Sequence, residues 1–258
     1  MKVLFIADII GQPGREAVAK LLPELKQKEE PELVIANGEN AAGGMGITPN
    51  VANDLFRLGI DVITMGNHTW DKKEVMDVIE DPNIIRPANY PPGVPGRGAA
   101  LVATPGKFKI GIVNLVGRVF MPSNDCPFRA AEKIIAELRK ETPVIIVDMH
   151  AEATSEKVAM GWYLDGKVSA VIGTHTHVQT ADEHILPEGT AYITDVGMTG
   201  PFDSVIGIKK EIILQRFLLG MPIRFDVANG DVNFNGVILD IEEKTGKAQG
   251  IKRIQIKA

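Results

Sequence analysis

The chain has 258 residues, with 28 lysines and arginines against 33 aspartates and glutamates, for a formal charge of -5. A chain of this length buries roughly 70–75% of the surface it would expose unfolded and needs no covalent staples; its single cysteine, Cys126, excludes an intrachain disulfide and reads as a small core or loop hydrophobe. The acidic balance argues against a stable complex with long nucleic acid, yet it leaves room for a small nucleotide wherever metal ions supply positive charge locally.

The opening MKVLFIAD has one lysine followed by hydrophobes and no small-residue cleavage site, so it reads as a first strand and not as a signal peptide. No apolar run approaches the length of a membrane span, so no membrane partner is expected and the cytoplasm is the default location. After the first run, 3–7, similar short Val/Ile-rich runs recur at 33–36, 62–65, 110–113, 144–147 and 168–172. Such runs suit strands buried on both faces.

Helical patterns alternate with these runs. They cover 15–30 (with Pro23 predicting a bend or break), 50–58 closed by Gly59, 72–80, 127–140 and 155–165. The alternation predicts an α/β fold with a mostly parallel sheet. The last third differs: 191–195, 206–214, 223–227, 234–241 and 251–256 read as strands of a second sheet packed on the first, although 209–219 fits either strand or helix. No linker or repeat divides the chain, which predicts one domain over 1–258. The Pro/Gly-rich stretch 90–98 reads equally as a lid or as a stiff turn.

The residues just past the apolar runs carry the chemistry. The first run leads to Asp8, the second to Glu39 and Asn40, the third to Asn67 and His68, the fifth to His150 and the sixth to His175 and His177. Ligands of open α/β sheets bind outside the carboxyl ends of the strands. Four of the five histidines fall there, while His184, beside Asp182 and Glu183, reads as a surface residue. In an extended GTHTH segment, side chains two residues apart point the same way, so His175 and His177 can reach one metal cluster. Carboxylate, amide and imidazole donors without thiolate suit iron, manganese or zinc better than Mg²⁺ or Ca²⁺. The glycine-rich stretch after Asn40 lacks the lysine of a phosphate-binding loop.

In order and type, Asp8, Glu39, Gly66-Asn67-His68, His150 and GTHTH resemble the motifs of the calcineurin-like metallophosphoesterases. MKVLFIADIIGQPGR, NGENAAGGMGI, GNHTWDKKE, GTHTHVQTADE and TDVGMTGP resemble the bacterial YmdB-like branch of that superfamily. The resemblance implies a four-layer α/β/β/α sandwich of two facing mixed sheets flanked by helices. It also implies a pair of divalent or mixed-valence transition-metal ions, iron before manganese or zinc, and hydrolysis of 2′,3′-cyclic nucleotides or related small phosphodiesters. The chain departs from the general superfamily pattern where Ile10 stands for a histidine and Glu39 for an aspartate, as the branch also does.

On this resemblance one ion takes Asp8, Glu39 and His177 with Asn40 beside them, and the other takes Glu39, Asn67, His150 and His175, so that Glu39 bridges. A metal-bridging hydroxide is expected to attack phosphorus, with His68 as the catalytic residue that orients phosphate or protonates the leaving oxygen. Thr174 and Thr176 read as phosphate contacts or as filler, and Arg118 as a solvent-facing arginine. Three other readings use the same residues: a nucleotide phosphomonoesterase, a metal-dependent hydrolase of C–N or ester bonds, and a non-catalytic metal-binding regulator. The C–N hydrolase would normally carry its His-x-His early, whereas here it is late. A homo-oligomer is compatible with the chain, but no patch marks its interface.

Overall fold

The computed structural model describes residues 1–106 and 108–258. Its elements run in the order β1 (Lys2–Ile6), β2 (Asp8–Ile9), α1 (Gly11–Glu29), β3 (Leu33–Asn37), α2 (Pro49–Arg57), β4 (Val62–Thr64), β5 (Ile84–Ile85), β6 (Ala99–Ala103) and β7 (Lys109–Val116). There follow α3 (Pro127–Leu138), β8 (Ile145–His150), α4 (Thr154–Leu164), β9 (Ala170–Thr174), β10 (His184–Ile185), β11 (Ala191–Ile193), β12 (Met198–Pro201), α5 (Lys210–Leu219), β13 (Val232–Ile241) and β14 (Ala248–Lys257).

These strands make two mixed sheets. The first has the order β2-β12-β13-β1-β3-β4-β5, with β14 also paired to β13, and the second has the order β10-β11-β9-β8-β7-β6. The chain runs parallel through β1, β3, β4 and β5 in one sheet and through β7, β8, β9 and β11 in the other. The carboxyl ends of both parallel series can therefore supply one edge of the molecule.

Side-chain alternation explains the layering. In β1, Val3 and Phe5 join Ile110, Ile112, Val144, Ile146, Ala170 and Ile172 in a core between the two sheets. Leu4 and Ile6, on the other face, pack with Val18, Leu22 and Leu25 of α1 and Leu55 of α2. Across the molecule, Val113, Leu115, Val147 and Val171 turn outward onto Ala131 and Ile135 of α3 and Met160 and Leu164 of α4. Strands apolar on both faces require a cover on each, which gives the expected α/β/β/α order.

Several local expectations change. α1 continues through Pro23, which lies on the exposed side of the helix; there the carbonyl that proline releases can be met by water. The predicted helix over 72–80 is only a 3₁₀ turn, Lys73–Asp77, confined between the site turn and Pro82. The last third does not form a second sheet of its own. β12, β13 and β14 extend the first sheet and β10 and β11 extend the second, because β1 and β9 each need a neighbour to satisfy their backbone groups.

Residues 206–214 are not a strand: α5 occupies Lys210–Leu219, and 223–227 contributes only an isolated bridge from Val227 to Ile208. The periodicity misleads there because the apolar residues of α5 face outward. Ile213 is its one buried residue, while Phe217 and Leu218 are 80% and 83% exposed.

The stretch 90–98 is tied down. The Arg86 guanidinium donates to the carbonyls of Pro87, Val94, Pro95 and Gly96 at 2.8–3.3 Å, which makes the segment a stiff turn. Among the described residues, no helix is long and apolar enough to cross a membrane.

Candidate active site

Both sheets send their carboxyl ends to one edge, and the strand-end residues meet there. Asp8 opens β2 just past β1, Glu39 and Asn40 follow β3, Asn67 and His68 follow β4, His150 ends β8, and His175 and His177 follow β9. Asp8, Glu39 and His150 are 0% exposed. Gly66 lets them approach: a Cβ at that position would stand 2.4 Å from the His150 ring and 2.5 Å from Glu39 Oε2. This is the physical reason for the glycine of Gly66-Asn67-His68.

His150 is the hub. Its Nε2 lies 3.0 Å from Glu39 Oε1, 2.9 Å from Asn67 Oδ1 and 3.1 Å from His175 Nδ1. Among the described residues, Glu39, His150 and His175 form a trio whose ligand atoms all lie within 4.8 Å of one another. Asn40 places its amide 3.3 Å from both Glu39 Oε1 and His177 Nε2. His177 Nε2 is 4.0 Å from Asp8 Oδ1, the spacing of two ligands that each sit about 2.0–2.2 Å from a common ion.

Hydrogen bonds behind the rings set their tautomers. His150 Nδ1–H donates to Thr174 Oγ1 at 2.9 Å, because the Thr174 hydroxyl spends its own hydrogen on Asp148 Oδ1 at 2.6 Å. His177 Nδ1–H donates to the Ile206 carbonyl at 3.0 Å. With Nδ1 engaged, Nε2 of each ring is left facing the cluster, where a metal ion can take the place of a proton, the arrangement seen when a second partner orients a metal-binding imidazole. His68 Nδ1 is 2.6 Å from Asp71 Oδ2, and its backbone N–H donates to Glu39 Oε2 at 2.9 Å.

The GTHTH segment reaches the cluster by a different backbone path from the one its spacing predicts. His175 and His177 have φ of 94° and 65°, so the chain curls in the left-handed region instead of running extended. Asp195 holds the curl. Its Oδ2 accepts from the Thr176 N–H at 3.0 Å, from the Thr176 hydroxyl at 2.7 Å and from Lys157 Nζ at 2.6 Å. The His175 N–H donates to Asp8 Oδ2 at 3.3 Å. Thr174 and Thr176 are thus positioning residues. Gly173 completes the arrangement, since a Cβ there would fall 1.7 Å from the Thr194 carbonyl oxygen.

The electrostatics ask for a cation. Burial raises Asp8 well above its ordinary value even against the pull of His150. Burial acts on Glu39 in the same sense, but the charge and hydrogen bond of His150 reverse it and bring Glu39 down to about 2. Burial opposes a proton on His150, and Glu39 overcomes it, carrying His150 up to about 9. Burial and then His150 drive His175 down to about 3, and burial also lowers His177. One proton on His150 balances Glu39, while Asp8 Oδ1 has no hydrogen-bond partner among the described residues. A buried acceptor of that kind is costly unless an ion meets it. The donor set, the orphaned oxygen and the ring nitrogens held toward the cluster all fit metal.

A family model described as YmdB-like protein matches residues 4–254. The chain belongs to the YmdB-like family, a branch of the calcineurin-like metallophosphoesterases. The YmdB-like chain is 55% identical over 257 residues to a 2′,3′-cyclic-nucleotide 2′-phosphodiesterase of Bacillus subtilis, covering 99% of this chain and 97% of that one. It superposes on a hypothetical protein of Thermus thermophilus with a TM-score of 0.94 at 44% identity, covering 100% of this chain and 99% of that one. A crystal structure described as a novel phosphatase of Mycoplasma pneumoniae gives the same TM-score at 38% identity, covering 100% of this chain and 93% of that one.

Sequence reasoning passed over the residues behind the ligands of this YmdB-like site: Asp148, Lys157, Asp195, Asp71 and Glu152, whose Oε2 is 3.1 Å from His175 Nε2. Asp195 closes the predicted strand 191–195, whereas β11 stops at Ile193 and leaves Asp195 past the strand end. Asp148 stands just past the run 144–147 and was open to the strand-end rule, while no sequence signal joins Lys157 to Asp195. Lys157 is 1% exposed and Asp195 is 0% exposed, so Lys157→Met strands a buried carboxylate. It is expected to destabilise the protein by about 3–5 kcal/mol, the usual cost of removing one partner of a buried pair. Adding Asp195→Asn should recover most of that loss. Urea unfolding with chelator in every sample measures both; equal stability of the single and double variants would contradict the pairing.

Proposed function

We propose that this chain is a cytoplasmic dinuclear metal-dependent phosphodiesterase that hydrolyses 2′,3′-cyclic nucleotides. The observation that carries the metal reading is the convergence of Asp8, Glu39, Asn67, His150, His175 and His177 at one buried edge, with potential ligand atoms 2.9–4.0 Å apart. The substrate class comes from the Bacillus subtilis relative and its 55% identity over nearly the full chain. Asp8, His177 and Glu39, with Asn40 beside them, would hold one ion; Asn67, His150 and His175 would hold a second, with Glu39 shared. The mixed oxygen and imidazole donors suit iron, manganese or zinc. Bound ions of this kind supply a water of lowered pKa and positive charge for the phosphoryl oxygens.

The chain's own groups do the rest. A cavity of about 340 Å³ is lined by Glu39, His68, Glu152, His175, Thr176 and Ile206. Asp71 orients His68 through Nδ1, which presents Nε2 as the ring nitrogen that meets substrate. From there it orients a phosphoryl oxygen or donates a proton to the departing ribose oxygen. Arg86 ties down the turn over 90–98 and Asp195 holds the curl of 175–177, so both segments are braced by hydrogen bonds from outside them.

The phosphatase description of the Mycoplasma pneumoniae structure makes a nucleotide monoesterase the second reading. A panel of 2′,3′-cyclic, 3′,5′-cyclic and monoester nucleotides, run on Mn²⁺-loaded protein, separates the two. Preferred turnover of 2′,3′-cyclic nucleotides supports the proposal, and turnover of monoesters alone overturns it. His68→Ala is expected to keep its metal and to lose roughly 10²–10⁴ in turnover on a cyclic nucleotide, the usual worth of a general acid or base. On a nitrophenyl phosphodiester, whose leaving group departs without a proton, the loss should be much smaller. Equal loss on both substrates with metal retained would remove the acid role and leave His68 as a phosphate positioner.

A further inference from the structure

A second cavity, of about 310 Å³, shares Asn67 and Asp71 with the site, and its lining includes Trp70, Tyr90, Pro91 and Pro122. Asn67 presents Oδ1 to His150 at 2.9 Å, and Asp71 holds His68 at 2.6 Å. The rest of the wall is mainly aromatic and proline surface, with Val94 and the Asn124 amide completing it. Trp70, two residues past His68, is 37% exposed, an unusual amount of open indole for a turn otherwise packed around buried ligands.

The wall is rigid. The Tyr90 hydroxyl donates to the Gly66 carbonyl at 2.8 Å, on the same turn that carries Asn67 and His68. Arg86 fixes the loop beyond Tyr90 through the carbonyls of Val94, Pro95 and Gly96. The rings of Trp70 and Tyr90 stand 6.0 Å apart and are tilted by 32°. A flat group sandwiched between two rings needs about 7–8 Å, two contact distances of roughly 3.5–4.0 Å each. Nothing planar enters between them, so a flat ligand can meet Trp70 only on the indole surface turned away from Tyr90.

We infer that this cavity is the base subsite, and that the nucleobase of a nucleoside 2′,3′-cyclic phosphate stacks on the outer face of Trp70 while its phosphate lies in the metal-facing cavity. The inference rests on the proposed cyclic-nucleotide reading. Stacking on an aromatic wall is sequence-tolerant because every base has a π face, so the subsite selects nucleotides over base-free phosphodiesters without strong choice among bases.

Two readouts test it. The chain has two tryptophans, and Trp162→Phe, on α4, leaves Trp70 as the single tryptophan, read by selective tryptophan excitation. In Mn²⁺-loaded protein of that background, adenosine 3′-monophosphate should quench the fluorescence saturably and ribose 5-phosphate should not. Trp70→Ala should raise KM for 2′,3′-cyclic AMP. Its preference in kcat/KM for that substrate over ribose 2′,3′-cyclic phosphate should fall by roughly 5- to 150-fold, the range to which a stacking contact of about 1–3 kcal/mol converts. Trp70→Phe should restore most of the preference and thereby exclude misfolding. An unchanged preference in Trp70→Ala, or no quenching by adenosine 3′-monophosphate, would overturn the base subsite. Quenching by a parent protein that turns over neither cyclic substrate would uphold base binding and remove the proposed reaction instead.

Discussion

Asp8, Glu39 and Asp148 are carboxylates with no exposed surface, gathered within one edge of a molecule whose two sheets are otherwise closed by Val, Ile and Leu. Like charges in so dry a place raise one another's proton affinity and destabilise the fold unless positive charge joins them. Much of the local structure answers that demand. His150 stands against Glu39, Lys157 stands against Asp195, and Thr174 gives its hydrogen to Asp148. These contacts leave over Asp8 Oδ1, which has no hydrogen-bond partner among the described residues and lies 4.0 Å from His177 Nε2. Glu39, His150 and His175, whose ligand atoms lie within 4.8 Å of one another, are grouped as a metal ion would require.

The layer beneath the ligands decides whether that set is usable. A histidine whose Nδ1–H were not engaged could turn its ring or change its tautomer, and the ligand would be lost. Thr174 and Ile206 remove that freedom at His150 and His177, and Asp71 does the same at His68. Asp195 reaches further, since a single oxygen holds Lys157 and the Thr176 hydroxyl and backbone and so fixes the left-handed turn between the two histidines. Its other oxygen accepts from the Gly197 N–H, which fixes the carboxylate itself. Backbone strain of this kind persists where the surroundings over-determine it, and a buried carboxylate so fully engaged provides such surroundings.

The parallel strands were legible in the sequence because burial on both faces writes an unbroken apolar run, as in 3–7 and 144–147. Their carboxyl ends were legible because polar residues there interrupt an otherwise hydrophobic text. That rule brings Asp8, Glu39, Asn67, His150, His175 and His177 to the same edge. It misses Lys157, which lies on α4 and meets Asp195 only through the tertiary fold.

The assignment of the last strands to two different sheets was equally hidden, since partners as far apart in the chain as Lys2 and Asp240 leave no local mark of their pairing. α5 shows the opposite failure: its apolar residues suggest burial, yet Phe217 and Leu218 face outward. The trajectory of 175–177 was misread because the extended backbone is the simplest way for alternate residues to share a side, and the hydrogen bonds of Asp195 impose another.

Whether the acceptor cluster is a two-ion site with Glu39 between the ions is tested most directly by anomalous X-ray diffraction from crystals grown with Mn²⁺. Two peaks per chain are expected, one bounded by Asp8, Glu39 and His177 and the other by Glu39, Asn67, His150 and His175. No peak in the cluster, or a single ion that leaves Asp8 without a metal neighbour, would contradict the two-ion site.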